Sequence, residues 1–278
     1  DINQFMGEPP VEWIRKKVIF SRMVSSKKSE IVISDYSLSY QHVIVKNGFN
    51  TFPKWANKEQ SGFYYTSMDE RKPTLKYVNI QTAKIKNIKS SDGMMVCSDV
   101  SQDGTKLLLT MAPDGQPDVY EFDTMTGESK RVTKYSGIDV NGQFLGNDKI
   151  VFVSDRLGYP NIFEQEIATG KVSQLAFDGK NNSSCTVFGD LVVYKSRESA
   201  ERFGRNTFNL HMFSTKTDHM RRITMNGENE FPKFSSDGDA ILFIKTFGGE
   251  HSLGLYKLKQ DKSHSFVLKA GRIQSIDW

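Results

Sequence analysis

The sequence predicts an all-β fold: a six-bladed β-propeller with four antiparallel strands per blade, closed by strands from both ends of the chain. Short runs of Val, Ile, Phe and Tyr alternate with Gly, Asp, Asn and Ser clusters roughly every 8 to 12 residues, as in short strands joined by tight turns. The whole pattern repeats every 43 to 47 residues, which is typical of a propeller blade. No segment after residue 17 sustains a helical hydrophobic period.

The period is set by the last large apolar residue before the first hairpin turn of each repeat. These residues are Trp55, Val100, Phe144, Val187, Phe234 and Trp278, spaced 45, 44, 43, 47 and 44 residues apart. The turns repeat as well, since Val100–Leu109 matches Phe234–Phe243 around an Asp-Gly pair. Asp123–Thr133 likewise matches Glu166–Ala176 around a Thr-Gly pair. Glycine in these pairs supplies the positive φ angle that tight hairpins need.

The repeats divide the chain into an arm, residues 1–17, and a propeller, residues 18–278. In the arm, a short apolar stretch ends at Gly7 and is followed by Glu8-Pro9-Pro10, the pattern of a helix end and its stop. We therefore expect the arm to link the propeller to an N-terminal domain that this chain lacks.

The strand count predicts how the ring closes. Five complete blades are expected to begin near Thr51, Val96, Val140, Ser184 and Glu230. Three strands precede them and one follows: Val18–Met23, Glu30–Tyr36 and His42–Lys46, then Ile273–Trp278. We expect these four to form the sixth blade, with Ile273–Trp278 as its inner strand beside Val18–Met23. Trp13 is the alternative for the inner position, because it also precedes a strand.

Composition limits the class of protein. Of the 278 residues, 37% are apolar and 25% are charged, which is a globular composition. The formal charge of +4 is small and the basic residues are scattered singly, which argues against a nucleic-acid-binding surface. No apolar run approaches the roughly 18 residues of a membrane span. We expect a monomer that is not embedded in a membrane.

The sequence contains no catalytic motif. It lacks a G-x-S-x-G nucleophile elbow, a Gly-rich phosphate loop and a C-x-x-C pair. Its five histidines are scattered over different blades without metal-binding spacing. Cys97 and Cys185 fall in non-adjacent repeats, so we expect two buried free thiols. We therefore predict no enzymatic activity and no cofactor.

One cofactor alternative stays open at the channel. Five carboxylates are expected near its mouth: Asp99, Asp139, Glu228, Glu230 and Asp277. Two of them close together would suit acid–base chemistry, and several converging with backbone carbonyls would hold calcium in the central channel. The third interpretation is that they are solvated loop charges, because the sequence does not fix their mutual distances.

The connections from each outer strand to the next inner strand, here called d–a connections, lie on the face opposite the Asp-Gly turns. They are rich in Asn, Gly, Ser and apolar residues and carry little net charge. Met94 and Met95 are adaptable contact residues, whereas Phe52 and Phe231 either anchor a partner or pack between blades. This mixture predicts a rim that binds a protein or peptide.

Several motifs resemble the TolB family of bacterial propellers. They are Ser101-Gln-Asp-Gly, Ser154-Asp-Arg-Leu-Gly-Tyr-Pro-Asn-Ile-Phe, the stretch from Asn226 to Gly238, and a final strand ending in Trp278. The arm up to Trp13, followed by a strand, is similar to the joint between that family's small N-terminal α/β domain and its propeller. The resemblance covers nearly the whole chain.

The resemblance implies a periplasmic, non-enzymatic part of the Tol–Pal envelope system, which supports outer-membrane integrity and cell division. It implies that the channel-mouth face binds the peptidoglycan-associated lipoprotein Pal, and that other Tol proteins and bacteriocins are further partners. By alignment, the Pal-facing positions are Asn50, Thr51, Met94, Val96, Cys97, Asp139, Val140, Asn141, Asn182, Ser183, Glu228, Asn229 and Glu230. Met94 and Asp139 are expected to project from neighbouring blades toward one partner.

Two other classes of protein are alternatives. The propeller of an S9-type peptidase shares the repeat, but the hydrolase domain that would carry the nucleophile elbow is missing from these residues. A carbohydrate- or peptidoglycan-binding module needs exposed aromatic platforms, whereas Trp13, Trp55 and Trp278 are expected to be structural.

Overall fold

The computed structural model describes residues 11–198, 207–217, 219–269 and 271–278. The predicted helix end at Gly7 and its proline stop lie outside these residues. One turn of 3₁₀ helix, Glu12–Arg15, precedes the first strand, and all other regular structure in the described ranges is β-strand. No helix there is long and apolar enough to cross a membrane.

The strands form antiparallel units of four. The first unit is β1 (Val18–Ser25), β2 (Lys28–Ser34) and β3 (Gln41–Val45), with β24 (Arg272–Asp277) from the other end of the chain. The second is β4 (Asn50–Trp55), β5 (Gly62–Ser67), β6 (Thr74–Asn79) and β7 (Ile85–Ser90). The third is β8 (Met95–Val100), β9 (Lys106–Met111), β10 (Asp118–Asp123) and β11 (Ser129–Arg131).

The remaining units follow the same order. The fourth is β12 (Asp139–Leu145), β13 (Lys149–Ser154), β14 (Asn161–Glu166) and β15 (Val172–Gln174). The fifth is β16 (Lys180–Phe188), β17 (Leu191–Glu198), β18 (Thr207–Ser214) and β19 (Met220–Arg222). The sixth is β20 (Glu228–Phe234), β21 (Ala240–Phe247), β22 (Glu250–Lys257) and β23 (Lys262–Val267).

The fifth and sixth units share one eight-stranded sheet. A single parallel bridge joins Phe208 of β18 to Glu228 of β20, because the connection into β20 runs alongside the start of β18. The described residues therefore form five hydrogen-bonded sheets, where the sequence predicted a separate sheet for each blade.

Strand β24 joins the two ends of the described chain. It pairs antiparallel with β1, with Ile19 opposite Asp277 and Met23 opposite Arg272, which is the pair of segments expected from the repeat spacing. Trp13 does not occupy this inner position. It is buried in the 3₁₀ turn, and its ring packs edge-on against Trp278, with ring centres 5.6 Å apart.

Buried apolar side chains lie between the units. Successive residues of a strand point to opposite faces, so in β1 Ile19 packs with Phe63 of the second unit while Phe20 packs with Leu242 of the sixth. One buried cluster joins each unit to the next, and another joins the sixth unit to the first. The arrangement is propeller-like, because each sheet buries both faces against its neighbours.

Four of the six outer strands are poor templates for pairing with another chain. Three of them, β11, β15 and β19, are three residues long. The longer outer strand β7 carries exposed Lys86, and exposed Lys84 precedes it. Short strands and edge lysines both discourage edge-to-edge association.

Candidate functional site

The inner strands β4, β8, β12, β16, β20 and β24 line a channel with two mouths. Residues around the middle of all six strands line a cavity of about 200 Å³. Residues from their last positions, together with the Asp-Gly turns, line a cavity of about 1150 Å³. We call these the narrow mouth, on the face of the d–a connections, and the wide mouth, on the opposite face.

A bulge in each inner strand shapes the narrow mouth. Register shifts interrupt the pairing of the inner strand in all six units, and in β4, β12, β16 and β20 they fall at an equivalent place. At four of these bulges a residue other than glycine has a positive φ: Phe52 (50°), Asn141 (56°), Ser184 (50°) and Phe231 (50°). Such backbone costs about 1–3 kcal/mol per residue and persists only where the surrounding structure holds it. All four residues line the narrow mouth.

Most of the remaining lining of the narrow mouth is apolar. Met94 is 43% exposed at its edge, and Val96 and Val140 line its wall. From the sequence, two roles were open for Phe52 and Phe231: anchoring a partner, or packing between blades. Both rings line the mouth, and Phe231 also packs against the cluster between the first and sixth units.

The predicted site residues divide into those that line this mouth and those that do not. The narrow mouth includes Met94, Val96, Cys97, Val140, Asn141 and Ser183. The alignment did not include Phe52, Ser184, Phe231 and Ser275, which also line it. Thr51 is buried and Glu228 is exposed, and neither is among the residues that line the mouth.

Three predicted residues are buried, and their side chains hydrogen-bond to the backbone of the d–a turns. Asn50, Asn182 and Asn229 occupy the same position near the start of an inner strand, and none is more than 2% exposed. Their side-chain Nδ2 atoms donate to the carbonyl oxygens of Asn47, Asp178 and Asn226, at 2.7, 2.9 and 3.0 Å respectively. Their amides therefore stabilise the turn.

Asp139 occupies the same strand position in the fourth unit. It is fully buried, and Arg156 Nη2 donates to both of its carboxylate oxygens at 3.1 Å. The expectation that Asp139 projects beside Met94 toward a partner is therefore wrong. Burial with Arg156 holds its side chain inside the protein.

Two of the carboxylates predicted near the mouth pair with separate cations. Asp139 pairs with Arg156, and Glu230 pairs with Lys195 at 2.8 Å. In the ranges that the structure describes, no group of three or more His, Cys, Asp or Glu side chains is placed to hold a metal ion.

A ring of six equivalent side chains, here called the waist, separates the two mouths. Each inner strand contributes the residue just before the large apolar residue that sets the period: Lys54, Asp99, Gln143, Thr186, Lys233 and Asp277. Lys54 Nζ lies 3.1 Å from Asp277 Oδ1 and 3.2 Å from Asp99 Oδ1. Lys233 Nζ lies 3.7 Å from Asp277 Oδ1. The two positive and two negative charges of the waist therefore balance.

The waist aspartates also fix the neighbouring units. Asp277 Oδ2 accepts a hydrogen bond from the backbone N–H of Trp55 at 2.8 Å, and Asp99 Oδ2 accepts one from that of Phe144 at 2.9 Å. Burial opposes the charged form of Lys54, but Asp277 and Asp99 outweigh it and raise the pKa of Lys54 above its usual value. Burial lowers the pKa of Lys233, and the positive charge of Lys54 lowers it further.

From the sequence, Asp99 and Asp277 were predicted near the channel mouth, but the waist was not predicted. The repeat alignment contains the information needed to predict the waist. If Trp55 and Trp278 share a register, the residues one position earlier share it too, which places Lys54 and Asp277 at the same height in the channel.

Both cysteines are buried and free, as predicted. Burial raises the pKa of both thiols, to about 12 for Cys185. We expect neither to react with Ellman's reagent in the folded protein at about pH 8, because the thiolate is the nucleophile and both thiols stay protonated. Denaturant should release two reactive thiols per chain. Rapid reaction of the folded protein would contradict the burial.

Comparison with known proteins identifies the family. Residues 13–278 match the family model of the TolB β-propeller domain. The chain is 46% identical over 281 residues to the Tol-Pal system protein TolB of Wolinella succinogenes, covering 100% of this chain and 66% of that protein. It is 50% identical over 275 residues to that of Campylobacter jejuni, covering 98% of this chain and 68% of that protein.

The fold agrees with a solved structure. TolB from Acinetobacter baumannii superposes with a TM-score of 0.88 at 20% identity, covering 100% of this chain and 69% of that one. The chain spans about two thirds of the length of the curated relatives it matches. Since the family match covers nearly all of its residues, the chain belongs to the TolB β-propeller family.

Proposed function

We propose that the chain is a protein-binding part of the Tol–Pal envelope system, and that its narrow mouth binds the lipoprotein Pal. The observation that carries this proposal is the mouth itself: an apolar opening of about 200 Å³ shaped by four strained bulges. Strained residues of this kind cluster at functional sites. An apolar centre within a polar rim is also the usual composition of a protein-binding surface.

We also propose that the six units are blades of one closed ring, fastened by the pairing of β24 with β1. The buried clusters between consecutive units support this, as does the cluster between the sixth unit and the first. A closed ring holds its loops in place, so that a partner is bound with little loss of loop entropy.

Two sides of the mouth contribute differently to binding. Phe52 and Phe231 flank the first unit, and the backbone N–H of Phe52 donates to Ser275 Oγ at 3.1 Å, which fixes this side. The side formed by the third and fourth units carries Met94 and Val140. A partner side chain that enters the mouth then contacts rigid aromatic anchors on one side and an adaptable methionine on the other.

The same proposal assigns the chain no chemical reaction and a periplasmic location. Four of the five carboxylates predicted near the mouth have cationic partners: Asp99 and Asp277 pair with Lys54, Asp139 with Arg156, and Glu230 with Lys195. This pairing leaves no carboxylate pair free for acid–base work. Relatives named as Tol-Pal system proteins support the envelope assignment, with other Tol proteins and bacteriocins as further partners.

Calorimetric titration with the matching Pal domain tests the site. We expect Met94→Glu to weaken binding at least about tenfold, or about 1.4 kcal/mol, because the bound partner would desolvate the new carboxylate. Met125→Glu is the matched control, since Met125 is 84% exposed in the turn between β10 and β11, on the face of the wide mouth. Equal affinities for the wild type and a folded Met94→Glu would move the site away from the narrow mouth.

A further inference from the structure

The wide mouth is several times larger than the narrow mouth and faces the other way. Its volume of about 1150 Å³ exceeds the roughly 300–1,000 Å³ of most ligand sites. Amide side chains are spread around its wall: Asn57, Gln60, Gln102, Gln143 and Asn147. The amides of Asn57, Gln60 and Gln143 are already hydrogen-bonded within the protein. Within the described residues no hydrogen bond engages the side-chain amides of Gln102 and Asn147, so these two offer donors and an acceptor to a ligand with peptide groups.

The charges of the wide mouth leave a positive excess. Five lysines and four carboxylates line the cavity. Three of the carboxylates pair with lysine, since Asp99 and Asp277 contact Lys54 and Glu121 lies 3.0 Å from Lys106. The fourth, Asp103, is bound within its own turn by the hydroxyls of Ser101 and Thr105 at 2.6 and 2.9 Å.

Lys233 is the most weakly paired charge of the waist. Its nearest carboxylate oxygen among the described residues is Asp277 Oδ1 at 3.7 Å, and that oxygen already binds Lys54 at 3.1 Å. The Lys233 side chain is only 14% exposed, so its ammonium has lost most of its water. The waist residues of the two preceding units are the uncharged Gln143 and Thr186. An anion at hydrogen-bonding distance would compensate the desolvated ammonium.

We propose that the wide mouth is a second binding site, and that it takes a peptide segment whose carboxylate is seated on Lys233. A peptide fits this wall better than a sugar, because sugars stack on exposed ring faces. Trp55 and Phe234 are only 6% and 7% exposed. Phe188 is 37% exposed, but Gly238 covers part of its ring, since an added Cβ there would sit 2.2 Å from it.

An NMR titration of the full chain tests this site with two probes: acetyl-tetraalanine with a free C-terminal carboxylate, and the same peptide as its C-terminal amide. We expect the acid to bind at least about tenfold more tightly than the amide. It should also shift the indole N–H signals of Trp55 and Trp278, which line the cavity.

Two substitutions locate the carboxylate. Lys233→Met keeps the length of the side chain and should abolish the preference for the acid. Lys195→Met is the matched control, because Lys195 is 16% exposed and pairs with Glu230 instead of lining the wide mouth. It should leave the preference unchanged.

Three results would overturn the site: no binding of either peptide, equal binding of acid and amide, or a preference for the acid that survives in a folded Lys233→Met. If Lys233→Met does not fold, the comparison of the acid and the amide on the unaltered chain still shows whether the site recognises a carboxylate. Lys233 also lines the narrow mouth, so the shifted indole signals distinguish this site from Pal binding, because Trp55 and Trp278 line the wide mouth and not the narrow one.

Discussion

Removal of residues 272–278, which are strand β24 and Trp278, is expected to abolish the folded state. Ile273 and Ile276 are each 2% exposed and belong to the buried cluster between the first and sixth units. Asp277, lost with them, binds Lys54 and the backbone N–H of Trp55. Each buried large side chain contributes about 2–5 kcal/mol, and a whole domain is stable by only about 5–15 kcal/mol. Thermal melting followed by circular dichroism should show no cooperative transition.

A single substitution tests the contribution of this packing without shortening the chain. Ile276→Ala is expected to lower the free energy of unfolding by about 2–5 kcal/mol, measured by urea denaturation. Ile85→Ala is its control, because Ile85 is 53% exposed on the outer strand β7, and it should change stability by less than about 0.5 kcal/mol. A truncated chain that melts cooperatively at the wild-type temperature would refute the role of β24.

Arg156→Met is expected to cost about 3–5 kcal/mol of stability, because it leaves the carboxylate of Asp139 buried without its cation. Asp139 is fully buried, and Arg156 is its only cationic partner in the described residues. The guanidinium also lies 4.9 Å from the ring centre of Phe163, and methionine keeps part of that packing. Denaturant unfolding monitored by tryptophan fluorescence measures the loss.

The double variant Arg156→Met/Asp139→Asn tests whether the unpaired carboxylate of Asp139 causes this loss of stability. Asparagine already occupies the equivalent strand position at Asn50, Asn182 and Asn229, so the backbone there accepts it. The double variant should recover most of the lost stability, since the uncharged amide needs no cation. If Arg156→Met is as stable as the wild type, or if the double variant recovers nothing, the buried ion pair is not what stabilises this turn.

The order and pairing of the strands could be predicted because they follow from local signals. Asp-Gly and Thr-Gly pairs mark several of the hairpin turns, and the spacing from Trp55 to Trp278 predicts the number of repeats. The bridge between Phe208 and Glu228 could not be predicted. It depends on the path of one connection in space, for which no repeat signal exists.

The lining of the channel was only partly predictable, because bulges interrupt the period-two alternation of a strand. The residues with positive φ have no common sequence sign, since Phe52 and Phe231 precede proline whereas Asn141 precedes glycine and Ser184 precedes cysteine. Polar composition was also misleading for the d–a connections. From its position in the sequence, Asn229 was predicted to be a rim residue. Its side chain is instead buried, and its Nδ2 donates to the backbone carbonyl oxygens of Phe208 and Asn226.

The waist allows the interior of the channel to diverge one repeat at a time. Each of its residues comes from a different repeat at the same height, so Lys, Asp, Gln and Thr are exchanged without altering the strand that carries them. The partners of Lys54 are Asp277 and Asp99, which belong to the repeats on either side of it. A gain or loss of charge in one repeat would therefore leave a charge of an adjacent repeat unpaired, so a charge change in the channel is accommodated only together with a change in the neighbouring repeat.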